Sequence, residues 1–221
     1  MTRKPKYESA TTFIRGRQLI LHPLKAVFLP DSGMLICSDV HVGKAAHFRK
    51  SGIPIPTLAN KENFWRMVEL IEEFTPKQLV FLGDLIHSQT NQEWDDFIDF
   101  IQQFPSLEKI LVRGNHDIQE DAFFLKAGMT VTTEWFDQSF RFVHVPEETG
   151  TPGMYTFAGH LHPSILMKGK AKQALRLPCF WFGPDSAVMP SFGQFTGSSP
   201  IQPGKKDGIF VIAGNQVLPI N

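Results

Sequence analysis

The sequence predicts an α/β fold in which two β-sheets pack as a sandwich with helices outside them. Three observations predict it. Two segments in the first half carry the 3.6-residue apolar period of amphipathic helices. Short apolar runs alternate with those helices early and dominate, with turns, after about residue 129. No repeat, low-complexity tract or evident linker divides the 221 residues, so the chain reads as one domain, 1–221.

Each element has its own justification. "MLICS", "QLVFL" and "KILVR" are short runs rich in β-branched, aromatic or Leu residues, suited to strands of a buried sheet. Between the first two, residues 57–74 place Phe64, Met67, Val68, Ile71 and Phe74 on one helical face, and Pro76 marks the stop. A capping box from Thr90 to Glu93 opens a second helix, 91–104, with Trp94, Phe97, Ile98, Ile101 and Phe104 on one stripe. A shorter helix, roughly 119–127, ends at Gly128. "FRFV" and "YTFA" read as further strands. "LPCFWFGPDSAVMPSFGQFTG" and "GIFVIAGNQVLPI" alternate apolar runs with Gly and Pro punctuation, and "CFWFG" within them reads as core rather than as a base-stacking platform.

Composition sets the outer bounds. Hydrophobic residues make up 42% and Phe alone numbers 20, enough for a sizeable core. Lys+Arg and Asp+Glu balance at 22 each, so no global field draws the protein to nucleic acid or membrane. An anionic partner must therefore be held by a local patch or by bound metal. The start, "MTRKPKYESATTF", lacks the apolar stretch of a signal peptide. "LHPLKAVFLP" is broken by Pro23 and Lys25 and is too short to span a bilayer. Cys37 and Cys179 stand outside any CxxC pairing, which fits a reducing compartment. The expectation is a cytoplasmic enzyme with no membrane partner.

Chemistry collects after the apolar runs. "MLICS" is followed by Asp39-Val40-His41, "QLVFL" by Gly83-Asp84, and "KILVR" by Gly114-Asn115-His116-Asp117. "FRFV" is followed by His144, and "YTFA" by Gly159-His160-Leu161-His162. In α/β sheets ligands bind beyond the carboxyl ends of strands, so five such turns converge on one crevice. Asp39/His41 and His160/His162 are i, i+2 pairs, which an extended segment points to one face ~6.6 Å apart. That suits one ion held by alternate residues, or two ions shared between neighbouring strands. Carboxylate, amide and imidazole ligands without a thiolate suit Mn, Fe, Zn or Co and disfavour Ca or an iron–sulfur cluster.

The series D-x-H, G-D, G-N-H-D, H, G-H-x-H, over about residues 34–163, resembles the calcineurin-like metallophosphoesterase superfamily. Within it, "SDVHVGKAAHFRKSGIPIP", "LGDLIHS", "AGHLHP", "LPCFWFG" and "FGQFTG" are similar to the ligase-associated DNA damage response endonuclease family PdeM. The resemblance implies a four-layer metallophosphoesterase sandwich, two mixed sheets flanked by helices. It implies two divalent ions bridged by Asp84, Mn²⁺ first and Fe, Zn or Co as alternatives. Asp39, His41 and His162 then complete one shell, and Asn115, His144 and His160 the other. His116 is the implied catalytic imidazole, oriented by Asp117. Two positions depart from the superfamily's habit: Val145, where Gly commonly follows the His, and His87, where an acid or amide is common and which is placed behind the ligands.

The implied reaction is hydrolysis of a phosphodiester. Two divalent ions bring four positive charges, of which Asp39 and Asp84 cancel two, and the surplus binds a phosphoryl oxygen and turns a shared water into hydroxide near neutral pH. His116 is the acid for the leaving alkoxide, with Asp117 fixing its tautomer. Lys44, His47 and Arg49 are read as contacts to substrate phosphate, against a solvated loop. Arg113 reads as the partner of a carboxylate. Lys168, Lys170, Lys172 and Arg176 read as a solvated hairpin tip, with a nucleic-acid backbone contact as the alternative. The expected substrate is a phosphodiester, single-stranded or flapped DNA in bacterial repair, with DNA ligase or helicase partners by resemblance. The alternatives are a small-molecule phosphoesterase or nucleotide pyrophosphatase, or a non-catalytic scaffold of the same fold. The short spans from Asp117 to His144 and from His144 to His160 leave little room for the lid a lipid-like substrate needs, and a scaffold has no need of a full ligand series.

Overall fold

The computed structural model describes residues 6–44, 48, 52, 59–87, 92–147, 150–168 and 174–220, with backbone alone at 59–61 and 168. The first sheet comes entirely from the first part of the chain. Its strands are β1 (Ala10–Ile14), β2 (Arg17–His22), β3 (Ala26–Leu29), β4 (Met34–Cys37), β5 (Gln78–Leu82), β6 (Glu108–Val112) and β7 (Met129–Thr132), in that spatial order. β1 to β4 pair antiparallel and β4 to β7 pair parallel. Helices α1 (Ala59–Phe74), α2 (Gln92–Ile101) and α3 (Asp121–Leu125) fill the three parallel crossovers.

The second sheet comes entirely from the rest. It contains β8 (Trp135–Asp137), β9 (Phe140–Phe142), β10 (Tyr155–Ala158), β11 (Pro163–Lys168), β12 (Ala174–Phe182), β13 (Ser186–Val188), β14 (Ser199–Pro200), β15 (Gly208–Ala213) and β16 (Gln216–Ile220). The path β14-β11-β12-β13-β10-β9-β8 is extended by β15 on β12 and β16 on β15. β10 pairs parallel with both β9 and β13, whereas β12 pairs antiparallel with β11, β13 and β15.

Strand alternation sorts the core into layers. Leu35, Cys37, Leu79, Phe81 and Leu111 face the helices and meet Met67, Leu70, Trp94, Phe97 and Phe124. Their neighbours Ile36, Val80, Leu82, Ile110 and Val112 face the second sheet and meet Phe140, Phe142, Tyr155, Phe157 and Phe180. Parallel strands buried on both faces need such continuous apolar runs, and β4 is buried at every residue. The far side of the second sheet is sealed by Cys179, Ile209 and Val211 under Ile165, Leu177 and Ile201, with no helix there among the described residues. Cys37 and Cys179 are both buried and unpaired. Among the described residues, no helix is long and apolar enough to cross a membrane.

The expected elements appear with shifted ends. α2 stops at Ile101 rather than 104, because Gln103 and Phe104 donate to carbonyls three residues back and tighten the last turn before Pro105. α3 is shortened the same way before Gly128, whose φ is 72°. Thr90 of the expected capping box lies outside the described residues. The β1–β3 meander was not anticipated. Its local signal is Arg15-Gly16, where φ of 51° and 78° makes the two-residue turn that joins twisted strands.

Candidate metal centre

Five strand ends deliver the polar residues to one edge of the sandwich. β4, β5 and β6 lie side by side in the first sheet and end at Cys37, Leu82 and Val112. β9 and β10 lie side by side in the second and end at Phe142 and Ala158. The turns beyond them are laced together by backbone. Asp39 and His41 N–H donate to the Gly83 and Asp84 carbonyls at 3.2 and 2.9 Å, and Gly159 N–H donates to His144 O at 2.9 Å.

The i, i+2 pairs do not meet through extended geometry. Asp39, His41, Asp84, His160 and His162 have φ of 54°, 50°, 49°, 65° and 48°. Left-handed backbone at a non-glycine residue costs ~1–3 kcal/mol, and such residues cluster at functional sites. The left-handed kinks keep Asp39 and His41 together but send His160 and His162 to different clusters. Glycine makes the crowding tolerable. A Cβ on Gly83 would stand 2.3 Å from His144 Nδ1, one on Gly114 2.4 Å from Asp84 Oδ1, and one on Gly159 1.9 Å from Ser38 Oγ. The glycines of G-D, G-N-H-D and G-H-x-H are therefore part of the site.

Two clusters result. In the first, Asp39, His41 and His162 turn one ligand atom each inward, and in the second Asp84, His144 and His160 do so, with all atoms of a cluster within 4.8 Å of one another. Asp84 faces both. Its Oδ1 lies 3.3 Å from His144 Nε2, and its Oδ2 lies 3.7 Å from His41 Nε2. Asn115 Oδ1 joins the second cluster, 3.1 Å from His144 Nε2.

The donor set fits a cation. His162 Nδ1–H donates to Thr196 O at 3.1 Å, which fixes the proton there and leaves Nε2 as a bare lone pair. That Nε2 stands 3.0 Å from Asp39 Oδ1, and neither atom has a hydrogen-bond partner among the described residues. Two buried acceptors held at that distance with no proton between them repel, and a cation is what reconciles them. His144 is set the same way, its Nδ1–H donating to Leu82 O at 2.8 Å. Asp39 Oδ2 is held by Ser38 Oγ and by His160 N–H at 3.1 Å. The segment after β13 backs this turn: Ser191 Oγ and Gly193 N–H donate to Asp39 O, and Phe192 N–H donates to Ser38 O.

The charges follow the packing. Burial alone would raise the Asp84 carboxyl, but His144 and the His116 N–H hold it down at about 2. Burial pushes the His41 imidazole down to about 3, helped by Lys44. Burial also acts downward on His144, yet the Asp84 and Asp39 carboxylates outweigh it and the imidazole sits above its ordinary value.

The residues expected around the ligands fall into three groups. His116 is in place, its side chain 40% exposed and its Nε2 4.0 Å from Asp84 Oδ2. It stacks on His87, centroids 5.4 Å apart, and meets His41 edge-on at 5.3 Å. Lys44 is half-buried beside Asp39 and Asp84. Asp117 does other work than orienting His116. Its Oδ1 accepts from Ile86 N–H at 3.1 Å and its Oδ2 from Gly114 N–H at 2.9 Å, so it ties the 114–117 turn to the 84–87 turn. Burial, before any nearby charge, raises that carboxyl to about 6. Arg113 pairs with Asp121 and donates to the Asp117 and Gln119 carbonyls, as a carboxylate partner should. His47, Arg49, Lys170, Lys172 and the Lys168 side chain lie outside the described residues. Arg176 Nη1 donates to Ser198 O at 3.3 Å. Phe180 and Phe182 of "CFWFG" are core.

Sequence reasoning passed over Ser38, Ser191 and Thr196. Their signal was their place directly before a ligand or inside "PSFGQFTG", and their partners are too far along the chain for spacing to show.

A strand-ended α/β sandwich with paired aspartate–histidine clusters defines a metal-dependent phosphoester hydrolase. The family model for calcineurin-like phosphoesterases matches residues 34–181, more than half of the chain, and the protein belongs to that family. Among solved structures it is similar to the Pseudomonas putida nuclease MPE, with a TM-score of 0.82 and 29% identity over 96% of this chain and 100% of that one. Yfce, a phosphoesterase from E. coli, aligns with a TM-score of 0.42 and 13% identity over 82% of this chain and 88% of that one, too slight a likeness to add to the argument. No curated protein matches the sequence.

Proposed function

We propose that this hydrolase is a phosphodiesterase of nuclease type that works with two divalent cations, Mn²⁺ first. The observation that carries the reading is Asp84, whose two oxygens face separate clusters, beside a bare acceptor pair at His162 and Asp39. Asp39, His41, Asp84 and His162 would hold one ion, and Asp84, Asn115, His144 and His160 the other. Bound there, two divalent ions supply charge for a phosphoryl oxygen and a nucleophile at neutral pH.

The chain's own residues do the rest. Imidazole Nδ1–H groups locked on Thr196 O and Leu82 O keep the ligand nitrogens aimed inward. His116, its side chain 40% exposed, delivers the proton that a leaving alkoxide needs. His87 packs on its ring and holds its orientation. Lys44 adds a cation beside the two aspartates. The nuclease class is supported by the full-length similarity to a nuclease. The DNA-repair setting, with ligase or helicase partners, is carried over from the family resemblance.

The test is a substrate panel. Reconstituted protein should hydrolyse bis-p-nitrophenyl phosphate with Mn²⁺ faster than the monoester, and should cut single-stranded or flapped DNA only slowly, with activity falling as salt rises. Efficient monoester turnover with no DNA cleavage at low salt would favour the small-molecule reading.

A further inference from the structure

Among the described residues, two of the clefts beside the metal centre differ in charge. The larger, about 410 Å³, adjoins Asn115 and His144 and carries Glu134, Glu147, Arg113 and Arg141. Its arginines are already engaged: Arg141 pairs with Glu134 at 2.7 Å and Glu147 at 2.6 Å, and Arg113 pairs with Asp121. The other, about 260 Å³, is bounded by His162, Ser191, Gln194, Thr196, Ser198 and Lys25, with no acidic side chain among its described lining.

Lys25 is the charged group of that second cleft, and it is oddly free. It forms no ion pair among the described residues, and burial first, then the nearby Arg66, push its ammonium down to about 8, with no carboxylate to offset them. Its backbone is nonetheless fixed. Lys25 N–H donates to His22 O at 2.9 Å, Leu24 N–H donates to His22 Nδ1 at 3.1 Å, and Leu24 O accepts from Arg66 at 2.7 Å. The residue itself has φ of 65°, a conformation that favours Gly or Asn over Lys. A lysine held in an unfavourable backbone state, facing an acid-free cleft next to a metal ligand, calls for an anion.

We propose that Lys25 binds a second phosphate of a polynucleotide substrate, adjoining the scissile one, in the cleft beside His162. The inference rests on the diesterase reading above and narrows it. A polynucleotide carries a charge at every nucleotide, so a scissile phosphate at the metal centre pushes its neighbours into the flanking clefts. The acid-free cleft accepts one without desolvating a carboxylate. The cleft beside His144, where each arginine already has its acid, offers no such gain. Lys25 is thus a specificity-determining residue, one that separates a chain of phosphates from a lone diester.

The test compares dinucleotides that differ by one terminal phosphate. Wild type should prefer a form carrying a second phosphate on one side over the bare dinucleotide by ~10-fold in kcat/KM. Lys25→Asn tolerates left-handed backbone and should lose that preference, while Lys25→Arg should retain most of it. In parallel, fluorescence anisotropy of a labelled single-stranded oligonucleotide should give a log–log salt slope ~0.7 shallower for Lys25→Asn, the loss of one phosphate contact. A Lys25→Asn protein with the wild-type preference and slope overturns the subsite. A wild type that shows the slope difference yet hydrolyses no diester across Mn²⁺, Zn²⁺, Fe²⁺ and Co²⁺ supports the subsite and overturns the hydrolytic reading instead.

Discussion

Asp84 faces both polar clusters, yet they solve the problem of buried polar atoms in opposite ways. In the second, His144 Nε2 lies within 3.3 Å of Asp84, Asn115 and His160, so its members contact one another, and a raised imidazole stands ready to hold a proton. In the first, Asp39 Oδ1, His41 Nδ1 and His162 Nε2 have no hydrogen-bond partner among the described residues, and burial pushes His41 down to about 3. The lesson is that neighbouring sites built from the same residue types differ in what they do without a cation. The second closes its polar atoms on one another, and the first leaves two of them facing each other.

The largest expected effect tests what the clusters share. Asp84→Ala should lose both ions by elemental analysis and reduce diester turnover by at least ~10³-fold, the equivalent of ~4 kcal/mol of charge stabilisation. By contrast His162→Ala should empty only the first cluster and His160→Ala only the second. If Asp84→Ala keeps one full equivalent of metal, the bridge is wrong and the clusters are independent.

A smaller effect separates ligand from acid. His116→Gln should keep near-normal metal content and lose ~10²–10⁴ in turnover on a diester with a poor leaving group. The loss should shrink with p-nitrophenolate, which departs without a proton. Equal losses on both substrates would make His116 a positioning group.

The smallest effect reads the protonation contrast directly, in metal-free protein. His41 at about 3 and His22 at about 4 are both depressed by burial. A depressed imidazole contributes stability that is whole above the unfolded value near 6.5 and is lost as pH falls toward the folded one. His144 has the opposite sign, its contribution present below 6.5 and lost as pH rises through its raised value. Urea midpoints should therefore fall between pH 7 and 4.5, and fall more steeply in His144→Gln. A midpoint that climbs on acidification would mean that the raised groups, His144 and Asp117, outweigh the depressed histidines.

Much of this was legible in the chain because strand, turn and ligand are adjacent in sequence. "MLICS" then Asp39, and "QLVFL" then Asp84, place a buried run and its polar terminus within one window. What was not legible depends on partners far apart or on backbone sign. The extended pairing of His160 with His162 failed because both residues are left-handed, which residue types alone do not announce. Asp117 beside His116 suggested an orienting carboxylate, yet its oxygens go to Ile86 and Gly114, one of them 31 positions away. The meander β1–β3 was hidden by Pro23 and Lys25, which read as interruption and lie in the turn that presents Lys25.

One feature of the architecture reaches into biosynthesis. The first sheet ends at Thr132 and the second begins at Trp135, and the residues proposed to hold metal divide there as well: Asp39, His41, Asp84 and Asn115 before, His144, His160 and His162 after. Neither half of the chain owns a complete cluster among these residues, so a nascent chain leaving the ribosome carries no finished site until its last sheet has docked on its first. A phosphoesterase assembled this way gains its site only near the end of its own translation.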